Sequence, residues 1–379
     1  MSLIILTFTS GCFFLLAFIV ASNKWKVNIL ANRWFSIFLL CLGLILVSDS
    51  IVYELHGNED FSILIDLFNL PVFVVGPLIY LSITFFVSPS KKLSFKEYSL
   101  HFLFPALLSF LIVLSYLMPN QEDLKEDAAT LEIINIIVIL VLIILPLTIY
   151  WLLSYMKLLR HQRNVYLFTS NVETIDLTWM RFFMWGLALM IIAWFCELVW
   201  ENLIVSTISS IIYLISAFYL AYFALQQGEV FSTNEHQAKE LKVIIEENQQ
   251  SSSTKKQLLG EDDLNILKKR LSAMMQDEKP YLDSTLNLSK LAQLMQVSTH
   301  ELSYIINTSF EDNFFNFVNR YRVEESKVLL LSNEYKHLSM VGIAYEAGFN
   351  SKTAFNTAFK KMTGVSPTEF QKTASEIQN

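Results

Sequence analysis

Two hydrophobic patterns divide this chain. Up to about Gln226 the apolar residues come in long unbroken runs, whereas from Glu261 onward they recur every three or four positions among charged ones. A helix needs about 20 apolar residues to cross a bilayer core, because each adds about 1.5 Å against a thickness of about 30 Å. Runs of that length fall at 2–21, 34–53, 61–87, 99–118, 134–156, 182–200 and 207–226, with polar breaks between them. They predict seven transmembrane helices. The third carries Asn69, Pro71 and Gly76, so a kink is expected near Pro71. No basic stretch precedes the first run and no small-residue cleavage site follows it, so 2–21 reads as a retained helix.

The second pattern predicts short soluble helices. Leu264, Leu267 and Leu271 have helical spacing, and Lys279-Pro280 ends that element. Residues 287–295 form a helix with Ser289 as N-cap or in the first turn; Gln296-Val297-Ser298 is a turn, and a second helix runs from Thr299 to Phe310. Leu291, Ala292, Val297, Leu302 and Ile306 supply an apolar seam locking the two at a steep angle, a helix-turn-helix by pattern. The second helix of such a unit lies in a DNA major groove, so Thr299, His300, Ser303 and Tyr304 are expected to face the bases.

A longer helix, Phe314 to Leu331, follows, and the pattern repeats. Leu338 to Ala347 is helical, Gly348-Phe349-Asn350 turns with glycine supplying a positive φ, and Ser351 caps a helix running to Thr363. Burying Phe355, Phe359 and Met362 leaves Ser351, Lys352, Thr353, Asn356 and Thr357 toward DNA, with Lys360 and Lys361 suited to phosphates. Arg320 joins this candidate set; the competing reading leaves Arg320 and Arg322 in water or pairs them with Glu324 and Glu325. Gly364 closes the helix, and Ser366-Pro367 opens a final one through Phe370.

Charge separates the two regions further. The whole chain is 53% hydrophobic and 17% charged, too apolar for a purely soluble protein. The loops at 22–33, 88–98 and 157–181 hold ten basic residues (Lys24, Lys26, Arg33, Lys91, Lys92, Lys96, Lys157, Arg160, Arg163, Arg181), and the alternate loops hold Lys125 alone. Basic loops stay on the cytoplasmic side, so the N-terminus is expected outside and everything after the seventh span inside. The expected location is the cell inner (plasma) membrane. Residues 227–262 are polar: Ala238 to Glu247 has a short helical pattern and Gln249 to Lys256 (QQSSSTKK) reads as a tether. The expected division is a transmembrane domain at 1–226, a linker at 227–262 and a DNA-binding domain at 263–379.

Candidate chemistry adds little that is catalytic. Cys12, Cys41 and Cys196 sit in apolar runs without metal-ligand spacing and are read as buried apolar residues. No catalytic residue, metal site or cofactor is expected. Asp49, Asp66 and Glu197 are ionisable residues inside spans, with Glu201 just beyond; by this topology all lie toward the outer leaflet. At helix ends they can simply reach headgroup water, as His101 can on the inner side. Gathered in one mouth, they would bind a cationic ligand or a basic peptide end. A membrane kinase would need a glycine-rich nucleotide loop, which is absent. A transporter-like protein with a regulatory tail would need matched broken spans, and only the third run is broken.

Specific motifs sharpen the second half. NRYRVEESKVLLL, then IAYEAGFNSKTAFNTAFKKMTGVSPTEF, with LAQLMQVS upstream, resemble the AraC/XylS family of transcription regulators over about residues 279–372. The membrane half, including Gly76-Pro77-Leu78-Ile79-Tyr80-Leu81, resembles seven-span N-terminal regions found on some members. The resemblance implies an all-α chain: a transmembrane bundle, then two helix-turn-helix units joined by one long helix. It implies a sequence-specific regulator, not an enzyme, whose partners are double-stranded DNA, membrane lipid, a second copy of the chain, RNA polymerase and a signal ligand. Two departures stand out: Gln371 sits where the family commonly has Arg, and Thr357 where a basic residue is common. Residues 261–379 hold 13 basic and 15 acidic side chains, so the basic footprint is local, around Lys352, Lys360, Lys361 and Lys372.

Overall fold

The computed structural model describes residues 2–22, 28–55, 62–88, 93–117, 134, 137–170, 177–200, 202–230 and 261–378. The chain separates into two compact units, residues 1–160 with 177–232 and residues 161–176 with 233–379. Among the described residues there is no strand, only an isolated bridge between Thr169 and Asn287.

The first unit contains α1 (Ser2–Ser22), α2 (Ile29–Leu55), α3 (Ser62–Asn69), α4 (Val72–Val87), α5 (Phe95–Leu117), most of α6 (Leu145–Phe168), α7 (Thr178–Val199) and α8 (Leu203–Val230). Among the described residues, seven stretches are long and apolar enough to cross a membrane: Leu3–Ser22, Ile29–Val52, Ile65–Val87, Phe95–Leu114, Ile137–Phe168, Thr178–Val199 and Leu203–Tyr222. They coincide with the seven expected runs. Their ends differ. Arg33, Lys96, Lys157, Arg160, Arg163 and Arg181, expected in loops, lie on helices. A helix pairs its own backbone and need not stop where the apolar run does, while long basic side chains reach back to water. Glu201, Lys125 and the two linker segments fall outside the described residues.

The expected break occurs where proline dictates it. Leu70 and Pro71 separate α3 from α4, and Pro71 occupies the N-cap of α4, where its missing N–H is not needed. A second irregularity precedes Pro146: Leu140–Ile144 forms a π turn in which the Leu145 N–H donates to the Leu140 carbonyl. Helix α2 packs against α1, α3 and α4, and α8 packs against α1 and α7. Phe13, Phe35, Phe38 and Phe183 are fully buried between them. Small polar groups join neighbouring helices: Ser36 Oγ donates to Ala17 O (2.7 Å), Ser209 Oγ to Ala193 O (3.2 Å) and Trp151 Nε1 to Met184 O (2.7 Å). Such cross-helix bonds suit a surrounding that offers no water. Cys41 is buried, Cys12 and Cys196 half-buried, and all three are free thiols.

The second unit contains α9 (Glu261–Asp277), a single 3-10 turn at Pro280–Leu282, α10 (Leu288–Met295), α11 (Thr299–Ser309), α12 (Phe314–Leu331), α13 (Met340–Glu346), α14 (Lys352–Thr363) and α15 (Pro367–Gln378). It has two small cores. Leu271, Met275, Leu288, Leu291, Met295, Leu302, Ile305 and Phe317 form one; Val323, Ile343, Ala347, Phe349, Phe355 and Phe359 form the other. Helix α12 contributes to both and joins them. Phe168, at the end of α6, is buried in the first core. The stretch 161–170, expected to belong with the membrane domain, therefore groups with the C-terminal unit.

The two turns use the same backbone for different reasons. Val297 N–H reaches back to Ala292 O, and Phe349 N–H to Ala344 O, so Gln296 and Gly348 hold equivalent left-handed positions (φ 53° and 86°). Gln296 shows that φ alone does not demand glycine. At Gly348 a Cβ would meet Tyr281 O at 2.3 Å and Leu282 Cα at 2.8 Å, whereas at Gly364 (φ 83°) nothing lies within 4 Å. Gly348→Ala is therefore expected to destabilise the C-terminal unit by about 2–4 kcal/mol, and Gly364→Ala by about 1 kcal/mol. Hydrogen exchange on the full-length chain checks this; equal losses at the two sites would refute the steric argument.

Candidate DNA interface

Each recognition helix begins at a strong cap. Asn287 caps α10 by accepting from Lys290 N–H. Ser289 therefore takes the second of its two expected places, in the first turn. Ser298 opens α11 with a capping box: its hydroxyl accepts from Glu301 N–H, and Glu301 Oε2 accepts from Ser298 N–H at 2.8 Å. The Ser298 N–H, and then its hydroxyl, hold the Glu301 carboxyl below its ordinary value. That stabilisation exists above the ordinary value of a free glutamate and is lost as pH falls through the lowered one. Ser339 caps α13 and Ser351 caps α14, each accepting from the N–H three residues on. Lys360 and Lys361 lie in the last turn of α14, where a cation meets the negative end of the helix dipole.

Burial divides each recognition helix into two faces. In α11, Leu302, Ile305 and Ile306 are buried, while Thr299, His300, Ser303 and Tyr304 are half-exposed. Asn307, one helical turn past Ser303, is exposed on that same side and donates to Ser303 Oγ (3.4 Å). The sequence reading passed over Asn307, although its spacing from His300, Ser303 and Tyr304 was the available signal. In α14, Phe355, Ala358 and Phe359 are buried; Lys352, Thr353, Thr357 and Lys360 are exposed and Asn356 is half-buried. Met362 is only half-buried, so the expected apolar face is narrower at its end.

Two basic residues and one glutamine make contacts that the sequence did not indicate. Arg320 is exposed but pairs with Asp312, not with Glu324 or Glu325. Those glutamates are occupied: Glu324 with Lys327, and Glu325 with Lys279 and the Tyr281 hydroxyl. Lys361 donates to Asn316 Oδ1 on α12 (3.0 Å), so it braces the second recognition helix against the connecting helix. Gln371, in the place where arginine is common, donates to Leu330 O (3.4 Å).

Arg322 is 1% exposed and serves the interior. Its Nε donates to Tyr281 O (2.7 Å), and its Nη2 to Asp283 O (2.9 Å) and Ser170 Oγ (3.1 Å). Ser170 Oγ in turn donates to Leu286 O (2.6 Å). Burial pulls the guanidinium down to about 10 while Asp283 holds it up, so it stays charged at neutral pH. A buried charge needs such a full set of acceptors.

Residues 291–373 match a helix-turn-helix domain family. The C-terminal region is an AraC-type helix-turn-helix domain. A curated relative, an uncharacterized HTH-type transcriptional regulator in the cgkA 5′ region of Pseudoalteromonas carrageenovora, is 31% identical over 104 residues. That match covers 27% of this chain and 59% of the relative, so the chain spans about three-fifths of that protein's length. Two solved structures are each 29% identical with a TM-score of 0.25. One is the C-terminal domain of the two-component response regulator yesN from Fusobacterium nucleatum, covering 27% of this chain and 96% of that one. The other is the C-terminal domain of AraT, a response regulator from Geobacillus stearothermophilus, covering 29% and 84%. At that score the superpositions carry no argument, and the fold rests on the two helix pairs and their caps. A domain of this type implies binding to DNA.

Arg322→Met removes the donors and leaves the carbonyls of Tyr281, Asp283 and Ser170 short of partners inside the unit. The expected loss is about 3 kcal/mol or more, at about 1–3 kcal/mol per unsatisfied group. Arg320→Met, which breaks an exposed pair, is expected to cost under about 1 kcal/mol. Hydrogen exchange or thermal unfolding of the two variants checks the order; similar losses would refute the interior role.

Proposed function

We propose that this chain is a membrane-anchored, sequence-specific transcription regulator that couples a signal met by its membrane unit to gene expression. The observation that supports DNA recognition best is the repeated geometry: two capped helices, each with an apolar face in a core and a polar face outward. Under this reading Thr299, His300, Ser303 and Tyr304 from α11, and Ser351, Lys352, Thr353, Asn356 and Thr357 from α14, face successive major grooves about 34 Å apart. Lys360 meets phosphate; Lys361 and Arg320 do so only after leaving Asn316 and Asp312. A domain with slightly more acidic than basic residues binds weakly alone, and pairing of two copies supplies the missing affinity. RNA polymerase is the expected partner if the effect is activation.

The test compares two lysines on one helix. Lys352→Ala is expected to relax preference at one base position, by about 1–3 kcal/mol. Lys360→Ala is expected to weaken all sequences alike and lower the salt slope by about one. Binding to a panel of duplexes at several salt concentrations reads both; identical behaviour would remove α14 from the groove.

The ten-to-one bias of basic loop residues supports an N-terminus outside and a DNA-binding unit in the cytoplasm, in the inner (plasma) membrane. An export-dependent reporter fused after Gln226 is then inactive, and activity there would reverse the orientation. Asp49, Asp66 and Glu197 are the proposed entry point of the signal. Neutralising each (Asp49→Asn, Asp66→Asn, Glu197→Gln) is expected to abolish switching of a target gene at unchanged protein level. Unaltered switching in all three would end the sensing reading.

A further inference from the structure

Helices α2 to α8 of the membrane unit enclose a cavity of about 440 Å³, within the range typical of small-molecule sites. Its walls are mostly apolar, with rings from Phe38, Phe73, Trp151, Trp194 and Tyr213. Two carboxylates, Asp49 and Asp66, line it beside Asn69, and none of its lining residues is Lys, Arg or His. Glu197 is not in the wall but lies within Coulombic range of Asp49 and Tyr213. Tyr213 is 4% exposed, and neither its hydroxyl nor the Asp49 carboxylate has a hydrogen-bond partner among the described residues. The broken third span makes the space. Asp66 and Asn69 sit on the last turns of α3, and Leu70, Val72, Phe73, Val75 and Gly76 follow across the break.

We propose that this cavity binds an amphiphilic organic cation, a single amine head on a hydrophobic tail of fragment size. An unpaired carboxylate in apolar walls is costly, and a ligand ammonium supplies both the opposite charge and the missing donors. The two tryptophans offer ring faces to the cation, and the remaining wall takes the tail. Anions are repelled by the two carboxylates. A hydrophilic polyamine leaves the apolar wall unfilled, and a folded peptide exceeds the volume. The proposal narrows the sensing reading above, on which it rests for its biological meaning but not for its test.

The experiment uses full-length protein in lipid nanodiscs and three probes with one tail: octylamine, octanol and octanoate. Binding is read from thermal stabilisation and tryptophan fluorescence against empty nanodiscs. Octylamine is expected to bind at least about 10-fold tighter than octanol, as one charge-assisted contact would give, and octanoate weakest. Asp49→Asn or Asp66→Asn is expected to bring amine and alcohol to equal affinity, while Tyr213→Phe reduces the preference in part. Equal affinities of the three probes for the parent protein would overturn the proposal without recourse to any variant, and would make the cavity a lipid-tail site. If the amine preference holds but target-gene switching is unaffected by the same substitutions, the ligand site stands and the coupling to transcription falls.

Discussion

A guanidinium shut away from water must find acceptors, and in this protein those acceptors belong to segments far apart in the chain. Arg322 points its donors at Tyr281, Asp283 and Ser170, which lie 41, 39 and 152 residues away in sequence. It sits on α12, which connects the two helix-turn-helix pairs, so its bonds fix the 3-10 turn at Pro280–Leu282 against that helix. The second turn then packs on the same place. Gly348 lies against the Tyr281 carbonyl, and the Phe349 ring stands 5.8 Å from the guanidinium carbon. One charged group thus ties the first core, the second turn and the connecting helix, and the spacing of the two recognition helices follows from it.

Around this anchor the polar contacts serve position more than charge. Lys361 to Asn316 sets how α14 leans on α12, and Lys279 and Tyr281 share Glu325 on the other side of the connecting helix. Lys352 and Lys360 have no such commitment among the contacts above and remain outward. The division matters for a domain with nearly balanced charge. Several of its basic residues are engaged in holding the fold, which leaves few free for other contacts.

The membrane unit works under a different constraint. Its walls are apolar, so unsatisfied polar groups weigh heavily there, and serine hydroxyls and a tryptophan N–H are spent on carbonyls of neighbouring helices. Trp34 Nε1 and Ser154 Oγ are buried without a hydrogen-bond partner among the described residues, and Asp49 and the Tyr213 hydroxyl, also without one, face one cavity. Pro71 stands at the break between α3 and α4, and residues on both sides of that break line the cavity.

The residue pattern alone determined what depends on local periodicity. Seven apolar runs of about bilayer length specify seven helices, and two helix–turn–helix patterns, the second with its cap at Ser351, specify the recognition helices. These are decided within a few residues of chain, where spacing and capping act. Contacts distant in sequence were decided by tertiary structure alone. Arg320 and Arg322 are two residues apart and looked alike, yet they point to opposite sides of one helix, so one meets Asp312 at the surface and the other is buried. Asp49 and Asp66 were legible as costly residues, but only packing brought them into one cavity and left Glu197 outside its wall. Residues 161–170 read as part of a basic loop between two spans, within the membrane domain. Phe168 and Ser170 join the other unit because its first core buries the ring and the Arg322 guanidinium bonds the serine, and no local pattern encodes a partner 152 residues away.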